Sequence, residues 1–153
     1  MNITPAQLAD AEVILALQKL AYQQEAARYD DYSILPLRQT LDEIRAEFGT
    51  HTFLKASEGG RIVGSVRAYK RQGTCHIGRL IVHPDHQRQG IGTALLHAIE
   101  AAFAGAERFE LFTGSISEGN IRLYRRLGYA VFKTEALNER VTLVYLEKRR
   151  ADA

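Results

Sequence analysis

The chain has 153 residues, 46% hydrophobic and 25% charged, with 20 Lys and Arg against 18 Asp and Glu. That length suits a single domain over 1–153 with a real core, and the composition excludes a disordered, collagen-like or coiled-coil chain. A formal charge of +2 is too even to be a nucleic-acid footprint, no apolar run approaches the roughly 18 residues of a membrane span, and the lone Cys75 neither closes an internal disulfide nor builds a thiolate metal cage.

The opening residues Met1 to Pro5 lack the basic-then-apolar pattern of a signal peptide, so a reducing, cytoplasmic setting is expected. Asn2 to Thr4 reads as a short extended segment. Apolar Val13, Ile14, Leu17, Leu20 and Ala21 fall at the spacings of one helical stripe, which predicts a helix from Asp10 to Ala27. Arg28 to Leu37 holds Tyr29, Asp30, Asp31, Tyr32, Ser33 and Pro36, turn formers without a period, and is predicted as a loop. Thr40-Leu41-Asp42-Glu43 has the capping-box form, and Leu41, Ile44 and Phe48 carry a second helix to Phe48, where Gly49 stops it.

The character then changes. His51 to Ala56, Arg61 to Lys70 and Thr74 to His83 are rich in strand formers and joined by short glycine-bearing links, which predicts an antiparallel meander. Helical spacing returns from Ile91 through Leu95, Leu96, Ile99, Ala102 and Phe103 to Gly105, and Arg108 to Thr113 alternates as a strand. A short helix from Glu118 to Leu127 ends at Gly128, and Tyr129 to Thr134 and Val141 to Glu147 form a last strand pair. The charges from Glu147 to Arg150 read as a solvated, frayed end. The fold class is α/β.

Chemistry concentrates in Leu80 to Leu96: an apolar strand, a polar turn, Gly90 and Gly92, then an amphipathic helix. Glycines at a helix start let backbone approach a ligand, and the first-turn amides, unpaired within the helix, face an anion with the positive end of the dipole behind them. A phosphate or pyrophosphate fits that field. The stretch lacks the Gly-Lys-Ser or Gly-Lys-Thr of a nucleoside triphosphate loop. It also departs from a dinucleotide fingerprint, since His83 to Gln89 separate strand from glycine, Leu95 stands where the third glycine belongs, and Glu110, at the spacing of the ribose acid, falls inside a strand.

Gln87-Arg88-Gln89-Gly90-Ile91-Gly92 matches the Gln/Arg-x-x-Gly-x-Gly/Ala signature of the GNAT superfamily of N-acetyltransferases, which the chain resembles here. The resemblance extends to Leu80-Ile81-Val82-His83-Pro84 and to Asn120 through Tyr129, similar to the family's second acyl-CoA segment, which includes Asn120 and Tyr124. It implies acetyl-CoA, released as CoA, with its pyrophosphate on the amides of Gln89, Gly90, Ile91, Gly92, Thr93 and Ala94. Its pantetheine arm would pair with backbone at Leu80, Ile81 and Val82. The implied architecture is a mixed, mostly antiparallel central sheet with helices on both faces and strands splayed at the acetyl-CoA cleft.

Acetyl transfer to an amine needs a base, a polarised carbonyl and a proton for the leaving thiolate. The resemblance implies that the Leu80 amide faces the thioester oxygen and that Tyr124, a phenol protonated at neutral pH, supplies the proton. His76 stands where several members carry a glutamate and is one candidate base; Glu110 on the neighbouring strand is the other. Cys75 and His76 are adjacent strand residues pointing to opposite faces, so they form no dyad, and Cys75 reads as a buried small hydrophobe. His76, His83 and His86 lack the spacing of a metal site, and no metal is assigned. Glu25, Asp30 and Asp31 with Tyr22, Tyr29 and Tyr32 are candidates to hold a cationic small-molecule or peptide amine. A homodimer is compatible with the sequence, and neither nucleic acid nor membrane is expected as a partner. The alternative from another class is a noncatalytic acyl-CoA-binding sensor or interaction module, against which Tyr124 is the discriminating residue.

Overall fold

Residues 1–150 are described by the computed structural model, and the last three positions of the expected 1–153 domain lie outside the described residues. The chain runs β1 (Asn2–Pro5), α1 (Ala11–Tyr29), α2 (Leu35–Arg38), α3 (Leu41–Glu47), β2 (Thr52–Glu58), β3 (Arg61–Arg71), β4 (Thr74–Val82), α4 (Ile91–Ala102), β5 (Arg108–Gly114), α5 (Glu118–Arg126), β6 (Ala130–Ala136) and β7 (Thr142–Arg149). Seven strands form one sheet in the order β1-β2-β3-β4-β5-β7-β6. Every pairing is antiparallel except β4 with β5.

Period-two alternation sends each strand's residues to two different cores. Leu54, Val66, Ala68, Cys75, Ile77, Phe109, Leu111, Val144 and Leu146 face α4 and pack with its Ile91, Leu95, Leu96 and Ile99 and with Tyr124 of α5. On the opposite face Phe53 joins Ala11, Ile14 and Leu15 of α1 and Ile44 of α3 in a smaller core. Helices therefore cover both faces. The smaller core does not extend to β5 and β7, whose outward residues Phe112 and Tyr145 are exposed and half-buried.

The capping box forms as read: Glu43 N–H donates to Thr40 Oγ1 at 3.2 Å, and Thr40 N–H to Glu43 Oε1 at 2.9 Å. Helix α1 buries only part of the predicted stripe. Ile14 and Leu17 face inward with Ala11, Leu15, Gln18 and Ala26, whereas Val13 and Leu20 are 51% and 45% exposed. The buried line admits a glutamine because Gln18 meets Arg67, a buried charged side chain of β3. The glutamine donates to the Pro36 carbonyl and to Gln39. That bond helps hold the segment predicted as a plain loop, which folds into the single turn of α2 with Pro36 in its first turn, where a missing amide costs nothing.

The C-terminal charges are likewise not a frayed end. Glu147, Lys148 and Arg149 complete β7 opposite Glu110, Phe109 and Arg108. Glu147 accepts from Arg108 at 2.6 Å and Lys148 lies 3.1 Å from Glu100, so the charged positions are paired. Charge alone misled there, because the period-two burial of Val144 and Leu146 continues the strand.

The end of α1 is fixed by a contact that only glycine allows. Tyr29 is buried, its hydroxyl accepts from the Ile116 N–H at 2.9 Å, and its ring lies against Gly114. A Cβ built on Gly114 falls 1.8 Å from that hydroxyl oxygen and 2.8 Å from Cε2. Gly114→Ala must displace a buried ring and should destabilise the fold by about 1–3 kcal/mol. Urea unfolding is expected to move to a lower midpoint at constant slope, and an unchanged midpoint would mean that Tyr29 relocates freely.

Candidate active site

The parallel pairing between β4 and β5 lasts for only three register pairs, Thr74 with Arg108, Cys75 with Phe109 and His76 with Glu110. Beyond them the strands part, as the resemblance implied. A bulge in β4 sets this divergence: Arg67 pairs with Gly78 and Ser65 with Ile81, leaving Arg79 and Leu80 opposite Val66 alone. Arg79 takes the left-handed conformation, φ 50°, that the extra residue demands. Alternation resumes one step out of phase, so Leu80 and Val82 join the α4 core that Ile77 had faced.

The same alternation decides which backbone groups face the gap. His83 N–H donates to the Val63 carbonyl on β3, at 2.8 Å. Two residues back, Ile81 turns its backbone toward β3 as well, and the amides of Leu80 and Val82 lie on the opposite edge, where no strand pairs. An extended ligand could pair there as an added strand.

At the far end of β4, a 3-10 turn at Pro84–His86 leads to Arg88 and Gly90, both left-handed at φ 64° and 80°. Gly90 caps α4 without a side-chain bond. The first amide taken by the helix is that of Ala94, which donates to the Gly90 carbonyl at 3.0 Å. Ala94 thus leaves the expected set, and the amides of Gln89, Gly90, Ile91, Gly92 and Thr93 remain without a backbone partner. A Cβ on Gly92 would meet only Val82 Cγ2, at 3.8 Å. Nothing in the chain itself excludes a side chain there. Gln87, Arg88 and Gln89 are exposed around this opening, with Gln87 donating to Gln24 at 3.3 Å.

Tyr124 is 7% exposed, its ring packed in the α4-side core. Its hydroxyl has no hydrogen-bond partner among the described residues, while Tyr22 and Glu25 of α1, on the other side of the sheet, act on its ionisation. Burial, foremost, with help from those two neighbours, pushes its pKa well above the usual phenol value, so it stays a proton donor throughout the neutral range. Asn120, four residues earlier, donates to Thr113 Oγ1 at 3.3 Å and ties α5 to the end of β5.

The two candidate bases are brought together. His76 and Glu110 are direct neighbours across the β4–β5 pair, with Nδ1 3.7 Å from Oε2. The other carboxylate oxygen of Glu110 accepts from Arg108 at 2.8 Å, and Tyr69 stacks on the imidazole at 4.9 Å. Both line a cleft of about 350 Å³ on the α1 side of the sheet, together with Arg67, Arg79, Phe112 and Tyr145. Sequence reasoning missed those four and Arg108. The available signal was an arginine set in the apolar run Val66-Arg67-Ala68, a charge that a buried strand retains only with partners; Arg67 has Glu47 at 2.7 Å and Gln18 at 2.6 Å.

The residues expected to hold a cationic acceptor are not gathered around this cleft. Glu25 is engaged by Arg28 at 2.7 Å and Ser117 at 2.5 Å. Tyr29 is the buried anchor already described, and Tyr32 is 55% exposed. Asp31 bonds Ser33 and Asn138, and the Asp30 carbonyl accepts from Arg140. These groups fasten the α1–α2 link to the β6–β7 turn. Of the expected set, Tyr22 alone lies against a cleft residue, Arg79. Cys75 is fully buried, and desolvation pushes its thiol up to about 12, which leaves it unreactive. Among the described residues no cluster of three metal-ligating side chains occurs, and no helix is long and apolar enough to cross a membrane.

Comparison with known proteins agrees with this geometry. The chain is 31% identical over 124 residues to the UPF0157 protein YqkA of Bacillus subtilis, covering 81% of this chain and 36% of that protein. It is 40% identical over 100 residues to the mycothiol acetyltransferase of Nocardiopsis dassonvillei, covering 63% and 30%. The chain thus spans about a third of the length of the curated relatives it matches. A solved structure, yncA of Salmonella typhimurium, a putative acetyltransferase with its cofactor acetyl-CoA, superposes with a TM-score of 0.77 at 22% identity, covering 100% of this chain and 95% of that one. The profile of the Acetyltransferase (GNAT) family matches residues 14–129, three quarters of the chain, from within α1 to just past α5, and the chain belongs to that family.

Proposed function

We propose that this chain moves the acetyl group of acetyl-CoA directly to a primary amine. The observation that carries the reading is the gap where β4 leaves β5: unpaired Leu80 and Val82 amides along one edge and unpartnered first-turn amides of α4 at its end. Ile91, Gly92 and Thr93 receive the pyrophosphate, and Leu80 and Val82 pair with the pantetheine arm. The Leu80 N–H polarises the thioester carbonyl.

His76, oriented by the Glu110 carboxylate that Arg108 holds in place, takes a proton from the incoming ammonium, directly or through a water. The freed nitrogen forms a bond to the acetyl carbon, the carbon–sulfur bond breaks, and Tyr124 donates its proton to the departing thiolate. Products are the N-acetylated amine and CoA. His76 and Glu110 then act as base and orienting carboxylate, a pair in which neither is redundant.

The primary test is thiol release from acetyl-CoA against a panel of amines. Tight acetyl-CoA binding without amine-dependent release would replace this reading with that of a noncatalytic acyl-CoA sensor. Tyr124→Phe should lower turnover roughly 10- to 1,000-fold while acetyl-CoA affinity stays within a few fold. Unchanged turnover with chemistry rate limiting removes Tyr124 from the mechanism.

Gly92→Val should weaken CoA binding by more than about tenfold, because a branched side chain would stand over the amides that meet the pyrophosphate. Since only Val82 at 3.8 Å borders that position, the variant should still fold. Equal affinities in calorimetric titration would confine the glycine to the turn.

For the base, His76→Gln should lower kcat/KM and abolish the acid limb of its pH profile, since a protonated base cannot accept the ammonium proton. Glu110→Gln should reduce the rate less and leave an acid limb in place. A His76→Gln enzyme with the full rate and an unaltered limb would pass the role to Glu110 acting directly.

A further inference from the structure

The cleft beside His76 holds one arginine that pairs with none of its carboxylates. Arg67 is paired with Glu47 at 2.7 Å, and Arg108 with Glu110 and Glu147 at 2.8 and 2.6 Å. Arg79 lines the same cleft, yet among the described residues no carboxylate lies within 4.0 Å of it. Its Nε is enclosed and without a hydrogen-bond partner. Arg79 is half-buried, and an enclosed guanidinium N–H without an acceptor is costly. The residue also holds the left-handed conformation of the β4 bulge, which fixes where its side chain departs from the strand.

We infer that Arg79 binds the carboxylate of the acceptor, and that the acceptor is a small α-amino acid with an apolar side chain. This deepens the acetyltransferase reading and rests on it. A zwitterion matches the charge order along β4, its ammonium toward the His76–Glu110 pair and its carboxylate toward Arg79, where the Tyr22 hydroxyl also lies. Guanidinium is suited to carboxylate through paired N–H donors. A monoanion suits the cleft better than a dianion, because Glu47 and Glu110 also border it. Phe112, Tyr145 and Tyr69 give the remaining wall an aromatic surface for an apolar side chain.

The test uses product analogues, so that it reads binding apart from turnover. N-acetyl-alanine, N-acetyl-leucine and N-acetyl-phenylalanine, each beside its primary amide, are titrated calorimetrically into the CoA-loaded protein. At least one free acid should bind about tenfold or more tighter than its amide. In Arg79→Gln and Arg79→Met the preference should fall to within about twofold, with CoA affinity unchanged. Equal binding of acid and amide for all three pairs in the unaltered protein overturns the inference, whatever the variants do. So does a preference that survives both substitutions in folded variants, or tighter binding of 2-aminoethyl phosphate than of any free acid. Acid-selective binding with no thiol release from any amino acid would sink the transfer reading and leave this one standing; amine turnover with acid and amide bound alike would do the reverse.

Discussion

The short parallel pairing of β4 with β5 is the constraint on which the rest of the molecule depends. A sheet gains its backbone hydrogen bonds in register, and strands that part early leave polar groups that burial penalises. Here the pairing stops after His76 and Glu110, and the bulge at Arg79 turns β4 away. What prevents collapse is that each diverging strand has a full partner on its other side, β3 for β4 and β7 for β5. The gap is thus an edge inside a sheet, with the stability of seven strands around it and two strands' worth of unpaired backbone facing inward.

The two faces of the sheet are built differently for the same reason. The α4 side is a continuous apolar core that can be closed by helix packing alone. The α1 side carries Arg67, His76 and Glu110, charges that no apolar helix face could cover. Gln18, Gln39 and Glu47 meet Arg67 with several bonds, and Arg67 also lies 4.5 Å above the Phe53 ring. That network makes α1, α2 and α3 one rigid cover over β2 and β3. The cover leaves the paired end of β4 and β5 open, and the polar strip there becomes a cleft beside the gap.

Most of the fold was legible because its signals are periodic or local. Alternation placed every strand of the meander, the capping box marked α3, and glycines marked where helices end. Helix α1 was legible in extent but not in facing, since hydropathy could not foresee a buried Gln18 whose partner is 49 residues away on β3. The C-terminal charges were misjudged for a related reason: their partners Arg108 and Glu100 lie on elements that only the folded sheet brings near. In the candidate site, the glycine turn and Tyr124 stand out in a motif, whereas Arg79, Arg67 and Arg108 belong to no local pattern. The two bases could be named but not related, because their adjacency is a register fact.

That register bears on how a single gap can serve two ligands. On the proposed reading the acyl donor lies along the edge of β4 and against the start of α4, while the acceptor enters from the α1 side, where His76 and Glu110 point. The sheet separates these approaches everywhere except at the gap, and Tyr124 packs in the α4-side core. A covalent acyl-enzyme would need a nucleophile at this crossing, and the only thiol, Cys75, is buried on the α4 face with its proton held to about pH 12. On that reading the two reactants meet each other directly, and the parting of two strands allows them to do so within one small domain.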